Sequence, residues 1–170
     1  MKKVQILAAI LFIFAIAVTG ISQKPDPTAN GASKAPADRP FGMTKDQADD
    51  LERAIRPYIE KARQTYPAAK ERFLKGLPPK NTFFVTTRIH DGSGRFEQVF
   101  IAVKGIHDGT IKGLIWSDVE LVKGYKLRDP YEFPEKDLID WTISKPDGTE
   151  EGNFVGNFLD TYQPPAVRND

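Results

Sequence analysis

Two identical tetrapeptides, Ile-His-Asp-Gly, carry the only histidines of this 170-residue chain, His90 and His107. A His-Asp pair can bind a metal ion or transfer a proton. Each pair also precedes a glycine, and Asp-Gly is typical of hairpin turns. Successive hairpin turns lie at opposite ends of their shared strand, about 30 Å apart for about ten residues. One zinc ion, held about 2 Å from each histidine nitrogen, cannot span that distance. The repeat therefore predicts two turns and no metal site.

Carboxylates are dense near the two tryptophans, Trp116 and Trp141. A pair of carboxylates beside an aromatic ring can cleave a glycosidic bond, with one acid protonated by apolar surroundings and the other ionised. Acids in the first turn of a short helix after Pro134 would give the same composition. The acids concerned are Asp118, Glu120, Glu132, Glu135, Asp137 and Asp140. We expect no catalytic pair among them, and keep a cell-wall glycan hydrolase as an alternative function.

The remaining nucleophile signals are incomplete. Ser93 lies between Gly92 and Gly94, but neither Gly-x-Ser-x-Gly nor a phosphate-binding Lys-Ser or Lys-Thr is formed around it. The chain has no cysteine, so disulfides, thiolate metal sites and cysteine nucleophiles are excluded. We expect no catalytic residue, no cofactor and no metal ligand.

A recognition surface is predicted from the alternation around Trp141. This residue is in phase with Ile139 and Ile143, which predicts that its ring points into the core. Asp140 would then point outward. Together with Asn157 it is our candidate for binding a partner.

These side chains must be positioned by a helix and a set of strands. Apolar residues recur every three or four positions from Leu51 to Phe73, which predicts one amphipathic helix. Proline removes a backbone donor and crowds the preceding turn, so we expect a kink at Pro57 and a break near Pro67. Gly76, with two prolines following, should end the helix.

From residue 82 the apolar period changes to two, which is typical of strands. Asp-Gly pairs between them favour tight hairpins. The predicted strands are 82–89, 96–104, 110–116, 119–122, 131–133, 139–143 and 154–159. This order predicts an α+β fold, in which the N-terminal amphipathic helix packs on one face of a curved, mainly antiparallel sheet arranged as a meander.

The first residues resemble a secretory signal peptide. Lys2 and Lys3 precede a nearly unbroken apolar run at residues 4–18, and Gly20 and Ser22 offer small side chains for cleavage. A membrane-spanning helix needs about 20 apolar residues, so we expect cleavage, with an uncleaved anchor as the alternative. The mature protein would then be periplasmic or secreted.

Composition divides the rest of the chain. Residues 23–42 are rich in Pro and Ala and have no apolar period, which predicts a flexible linker. We expect residues 1–22 to be the signal peptide, 43–162 a single globular domain and 163–170 a flexible tail. The formal net charge of +1 favours neither nucleic acid nor a membrane surface as a partner.

Several local patterns occur together in one bacterial family. They are Ala62-Arg63 with Pro67 shortly after, the first Asp-Gly hairpin, Phe133-Pro134, Asp137-Leu138-Ile139-Asp140-Trp141, and Gly-Asn-Phe at 152–154 and 156–158. In their order and spacing, the chain resembles the YegJ-like domain of unknown function 2314. That resemblance implies no reaction, because the family has no established one.

Elimination leaves a binding role. We expect an exported, non-catalytic domain of the cell envelope that binds a protein or a cell-wall component. An inhibitor or immunity-like protein, which blocks an enzyme or a toxin, would also need no chemistry of its own and is kept as an alternative.

Overall fold

The computed structural model describes residues 45–163, with side chains described from residue 48 onward. The predicted signal peptide and linker, and all of the predicted tail except its first residue, lie outside the described residues. Within the described range, no helix combines the length and the apolar character that crossing a membrane requires.

Helix α1, Lys45–Lys75, carries the predicted apolar stripe on its buried side. Pro57 and Pro67 both lie inside this 31-residue helix, so the predicted break near Pro67 was wrong. Each proline removes one N–H from the helix, while buried residues such as Ala62 and Ala69 continue the packed stripe on either side of Pro67. The helix ends as predicted, just before Gly76, which has a φ of +98°.

The strands form one antiparallel sheet of six, which confirms the α+β class. In chain order they are β1 Thr82–His90, β2 Phe96–His107, β3 Thr110–Ile115, β4 Pro130–Pro134, β5 Asp140–Ser144 and β6 Glu150–Gly152. Their order across the sheet is β4-β3-β2-β1-β5-β6, so only the first four make a meander. The chain then crosses from the β4 edge, through the short 3-10 helix Glu135–Asp137, to pair β5 with β1.

Two predicted strands are absent from the structure. At residues 119–122 the amides of Glu120, Leu121 and Val122 donate to the carboxylate of Glu97 instead of to a neighbouring strand. Residues predicted as the last strand form helix α2, Phe154–Leu159, which begins after a left-handed Asn153 with φ of 52°. The helix buries Val155 in a small second core, which also contains Leu51, Ile55 and Ile139.

The two faces of the sheet differ in what covers them. The main core lies between α1 and the face that includes Phe83, Val85 and Trp141. The opposite face carries a cross-strand row of paired residues, Leu114, Ala102, Phe84 and Thr142. Trp116 follows this row, with its ring centroid 6.3 Å from that of Phe84. The main core therefore lies on the face of the sheet opposite to this row.

Candidate functional site

Asp140 is buried, which corrects the prediction that it points into solvent. Only 1% of it is exposed. Its Oδ2 accepts a 2.6 Å hydrogen bond from the amide of Val155, in the first turn of α2, and its Oδ1 accepts one of 2.8 Å from the amide of Trp141. The side chain does lie opposite Trp141, but α2 covers that position. Because α2 was predicted as a strand, no local pattern indicated that Asp140 would be covered.

The inward orientation of Trp141 is confirmed. Trp141 is 6% exposed, and its Nε1 donates a 2.9 Å hydrogen bond to Oγ1 of Thr65 on α1. Burial raises the pKa of the adjacent Asp140 to about 6, against the opposing effect of its backbone hydrogen bonds. Asp140 and Trp141 thus join β5 to both helices, which is a structural role.

Asn157, the second predicted recognition residue, is exposed in the second half of α2, and its Nδ2 lies 3.4 Å from the carbonyl oxygen of Gly152. It shares no surface with the buried Asp140. Asn153 is the asparagine with a local structural role, since its buried amide donates to Glu150 at 2.8 Å. Of the predicted pair, only Asn157 is therefore accessible to a partner.

The histidines lie at opposite ends of β2 as predicted: His107 is its last residue, and His90 pairs with Phe96 at its start. Among the residues that the structure describes, no group of three His, Asp or Glu side chains could hold a metal ion. In the second hairpin Asp108 and Gly109 adopt positive φ, as predicted for an Asp-Gly turn. In the first hairpin Gly94, and not Gly92, has the positive φ.

The first hairpin differs because its aspartate organises a longer turn. The carboxylate of Asp91 accepts hydrogen bonds from the hydroxyl and amide of Ser93 and from the guanidinium of Arg95. These bonds, first that of the Ser93 hydroxyl, hold the pKa of Asp91 well below its usual range. Ser93 is therefore part of a turn.

The acidic residues near Trp141 are held apart by separate partners. Glu132 pairs with Lys112 across β3 and β4 at 2.8 Å. Glu135 pairs with Lys70 on α1 at 2.7 Å. Asp140 is enclosed by backbone amides, as described above. These three carboxylates therefore serve different elements.

The structure shows a groove that the sequence analysis missed. It lies where the α1–β1 loop approaches β2 and β3, and its volume is about 490 Å³. We call it the Trp116 groove. Apolar walls come from the end of α1, the loop after it and the sheet, and include Phe73, Leu77, Pro78, Pro79, Leu114 and Trp116. Among the described residues, three cationic ones also line it, Lys80, Lys104 and Arg128, and no aspartate or glutamate does.

Each of the three cationic residues lies at an irregularity of the backbone. The loop closes with a hydrogen bond from Asn81 N to Pro78 O, and within it Lys80 has a φ of 68° at a turn position that glycine normally occupies. Arg128 has a φ of 72°. Lys104 is the extra residue of a β-bulge, because Val103 pairs with Gly113 and Gly105 with Lys112.

Arg128 is fixed against the aromatic wall. Its guanidinium carbon lies 5.4 Å from the centroid of the Trp116 ring, within the range of a cation–π contact. Its amide donates a 2.7 Å hydrogen bond to the carbonyl oxygen of Ile115, which ties the loop to the end of β3. A signal for this site was present in the sequence: Trp116 is in phase with Leu114 and out of phase with the core residue Ile115.

No family model, curated protein or solved structure matches the chain. The resemblance to the YegJ-like domain therefore stays a prediction. The site rests on its own geometry: a groove whose described lining has an aromatic wall, cations at three backbone irregularities and no acid.

Proposed function

We propose that this chain is an exported, non-catalytic domain of the bacterial cell envelope, and that it binds a partner through the Trp116 groove. One observation carries this proposal: the groove combines aromatic and aliphatic walls with cations, and its described lining has no acidic residue. Hydrolysis by paired carboxylates requires acids that converge on one cleft. Three of the acids near Trp141, namely Glu132, Glu135 and Asp140, instead pair with different elements.

The residue types in the groove favour recognition. Tryptophan and arginine are enriched among the residues that dominate binding energy at interfaces. Here Arg128 is already held over the ring of Trp116, so little side-chain freedom would be lost when a partner binds.

Export is supported by the composition of the first residues. Lys2 and Lys3 precede the apolar run 4–18, in the layout of a cleaved signal. In the proposed arrangement, the linker 23–42 follows the cleavage site and the binding domain begins near residue 43. An uncleaved segment would tether the same domain to the membrane and leave the groove unchanged.

Fractionation of bacteria that express the full chain tests the proposed export. We expect the protein in the periplasm or medium, with Gln23 as the first residue in its intact mass. A chain that begins at Met1 and stays in the cytoplasm would contradict export.

Purified cell-wall sacculi and envelope membranes test the activity. We expect the protein from the periplasm or medium to be retained by one envelope fraction, and Trp116→Ala with Arg128→Gly to lose that retention. A matched Lys136→Gln variant, changed at an exposed lysine outside the groove, should be retained like the parent. Release of soluble glycan fragments by the parent protein would overturn the non-catalytic assignment in favour of the hydrolase.

A further inference from the structure

We infer that the Trp116 groove takes an acidic peptide segment of a partner protein, with an aliphatic or aromatic side chain beside its carboxylates. This inference rests on the proposed binding function and names the chemistry of its ligand.

Charge is the first reason. The chain as a whole is close to neutral, with a net charge of +1, yet the described lining of the groove is cationic without a single acid. Lys80, Lys104 and Arg128 come from three separate segments of the chain and meet at this one groove. A local excess of one sign in a concave surface favours a ligand of the opposite sign.

The apolar walls further restrict the kind of ligand that would fit the groove. A free inorganic anion would contact only the cations and would leave the apolar part of the lining, such as Leu114 and Trp116, unused for binding. A neutral glycan has no negative charge to pair with Lys104 or Arg128 in the lining. A peptide that alternates carboxylates with an apolar side chain matches both parts of the lining.

The backbone supplies a third reason. Four described residues other than glycine have positive φ: Lys80, Asp108, Arg128 and Asn153. Asp108 makes a hairpin turn and Asn153 begins a helix, and both residue types tolerate this conformation. Lysine and arginine tolerate it less well, and both of them line the groove. Strain of this kind persists at ligand sites where the side chain is used.

The two tryptophans of the chain provide a direct test. Trp116 lines the groove, while Trp141 is 6% exposed in the core and reports that the protein is folded. Full-length protein is titrated with a library of short acidic peptides, each with one leucine, phenylalanine or tyrosine, while tryptophan emission is followed. We expect a saturable change for members of the library, and none in Trp116→Phe, whose remaining emission stays that of a folded protein.

Variants and control peptides separate charge from simple apolar contact. Lys104→Gln and Arg128→Gly should each weaken binding at least about fivefold, as expected for loss of a hydrogen bond to a charged group. Lys136→Gln should bind like the parent. Peptides with Asn and Gln in place of the acids should bind at least about fivefold more weakly. Binding is followed by anisotropy of a labelled peptide, so that a variant without Trp116 is also measured.

Three results would overturn the inference: no acidic peptide binds, the neutral peptides bind equally well, or Trp116→Phe keeps the emission change. If sacculi or membranes still retain the protein through the groove in those cases, the proposed function stands with a different ligand. If groove variants also lose no retention, the proposed function fails as well.

Discussion

Asp140 shows how one buried carboxyl makes the stability of the protein depend on pH. Its pKa is raised to about 6 by burial, whereas an unfolded aspartate has a pKa of about 3.9. Between these values the folded state holds the proton more tightly than the unfolded state. The contribution of Asp140 to stability is therefore fully present below about pH 4 and is lost as pH rises through about 6, by about 3 kcal/mol in total.

Urea unfolding of the parent and of Asp140→Asn, at pH 4 and at pH 7, measures this contribution. The amide resembles the protonated acid, so we expect the stability difference between variant and parent to shift by about 2–3 kcal/mol in favour of the variant from pH 4 to pH 7. Taking the difference between the two proteins cancels the pH dependence that comes from groups present in both. One such group is Glu151, whose pKa is lowered to about 2, chiefly by its hydrogen bond with Arg72. A difference that does not change with pH would show that Asp140 is not buried as described.

Arg128 gives a second prediction at this scale. Glycine adopts a φ of 72° without the penalty of about 1–2 kcal/mol that a side chain incurs there. The cation–π contact with Trp116 lost in Arg128→Gly is worth about 0.5–1 kcal/mol. We expect Arg128→Gly to unfold at the same urea concentration as the parent or a higher one. A loss above about 1 kcal/mol would mean that Arg128 is kept for folding, and would remove the backbone argument for the groove.

At the scale of elements, Gly152 at the end of β6 is predicted to tolerate no side chain, because β6 lies close against Trp141. A Cβ on Gly152 would overlap the backbone oxygen and the ring of Trp141, and the residue has a φ of 82°. Gly148 has nearly the same φ, 84°, but a methyl group there would have nothing within 4 Å, so Gly148→Ala is a matched control. We expect a loss of about 1 kcal/mol for Gly148→Ala and about 2–4 kcal/mol for Gly152→Ala.

Thermal unfolding of these two glycine variants measures the difference. Equal losses would mean that the backbone conformation alone is disturbed, and that β6 and α2 do not pack closely on Trp141.

The elements also show what a sequence can and cannot specify. The helix stripe, strands β1 to β4 and the inward Trp141 follow from local periodicity, and the structure confirms them, whereas the strand predicted at 119–122 is absent. The pairing of β5 with β1 depends on a crossing between the sheet edges, which no local period encodes. The apolar spacing of residues 154–159 fits both a strand and a helix. Packing of this segment on Leu51 and Ile55 favours the helix. The same missed helix explains why Asp140 was expected at the surface.

The groove also could not be predicted from local sequence patterns. Its lining combines the loop after α1, the bulge in β2, the end of β3 and the turn at Arg128, which meet only in the folded molecule. The alternation of Leu114, Ile115 and Trp116 could have placed Trp116 on the face away from the core. It could not have shown which cations lie beside it.

At the scale of the whole described domain, the two faces of the sheet differ. Helix α1 and the main core cover one face, and residues of the other face form part of the Trp116 groove. The described acids and histidines are distributed over turns, ion pairs and a buried helix contact. This arrangement supports the proposal that the groove binds a partner, because the groove gathers cations while Glu132, Glu135 and Asp140 pair with separate elements.

Site-specific photo-cross-linking in intact cells tests that account most directly. A photoreactive phenylalanine analogue replaces Lys104 in the groove or, as the control, Lys136 outside it. We predict one discrete cross-linked protein from position 104, none from position 136, and loss of the cross-link when Arg128→Gly is added. No cross-linked protein from position 104, or the same products from both positions, would contradict partner binding through the groove.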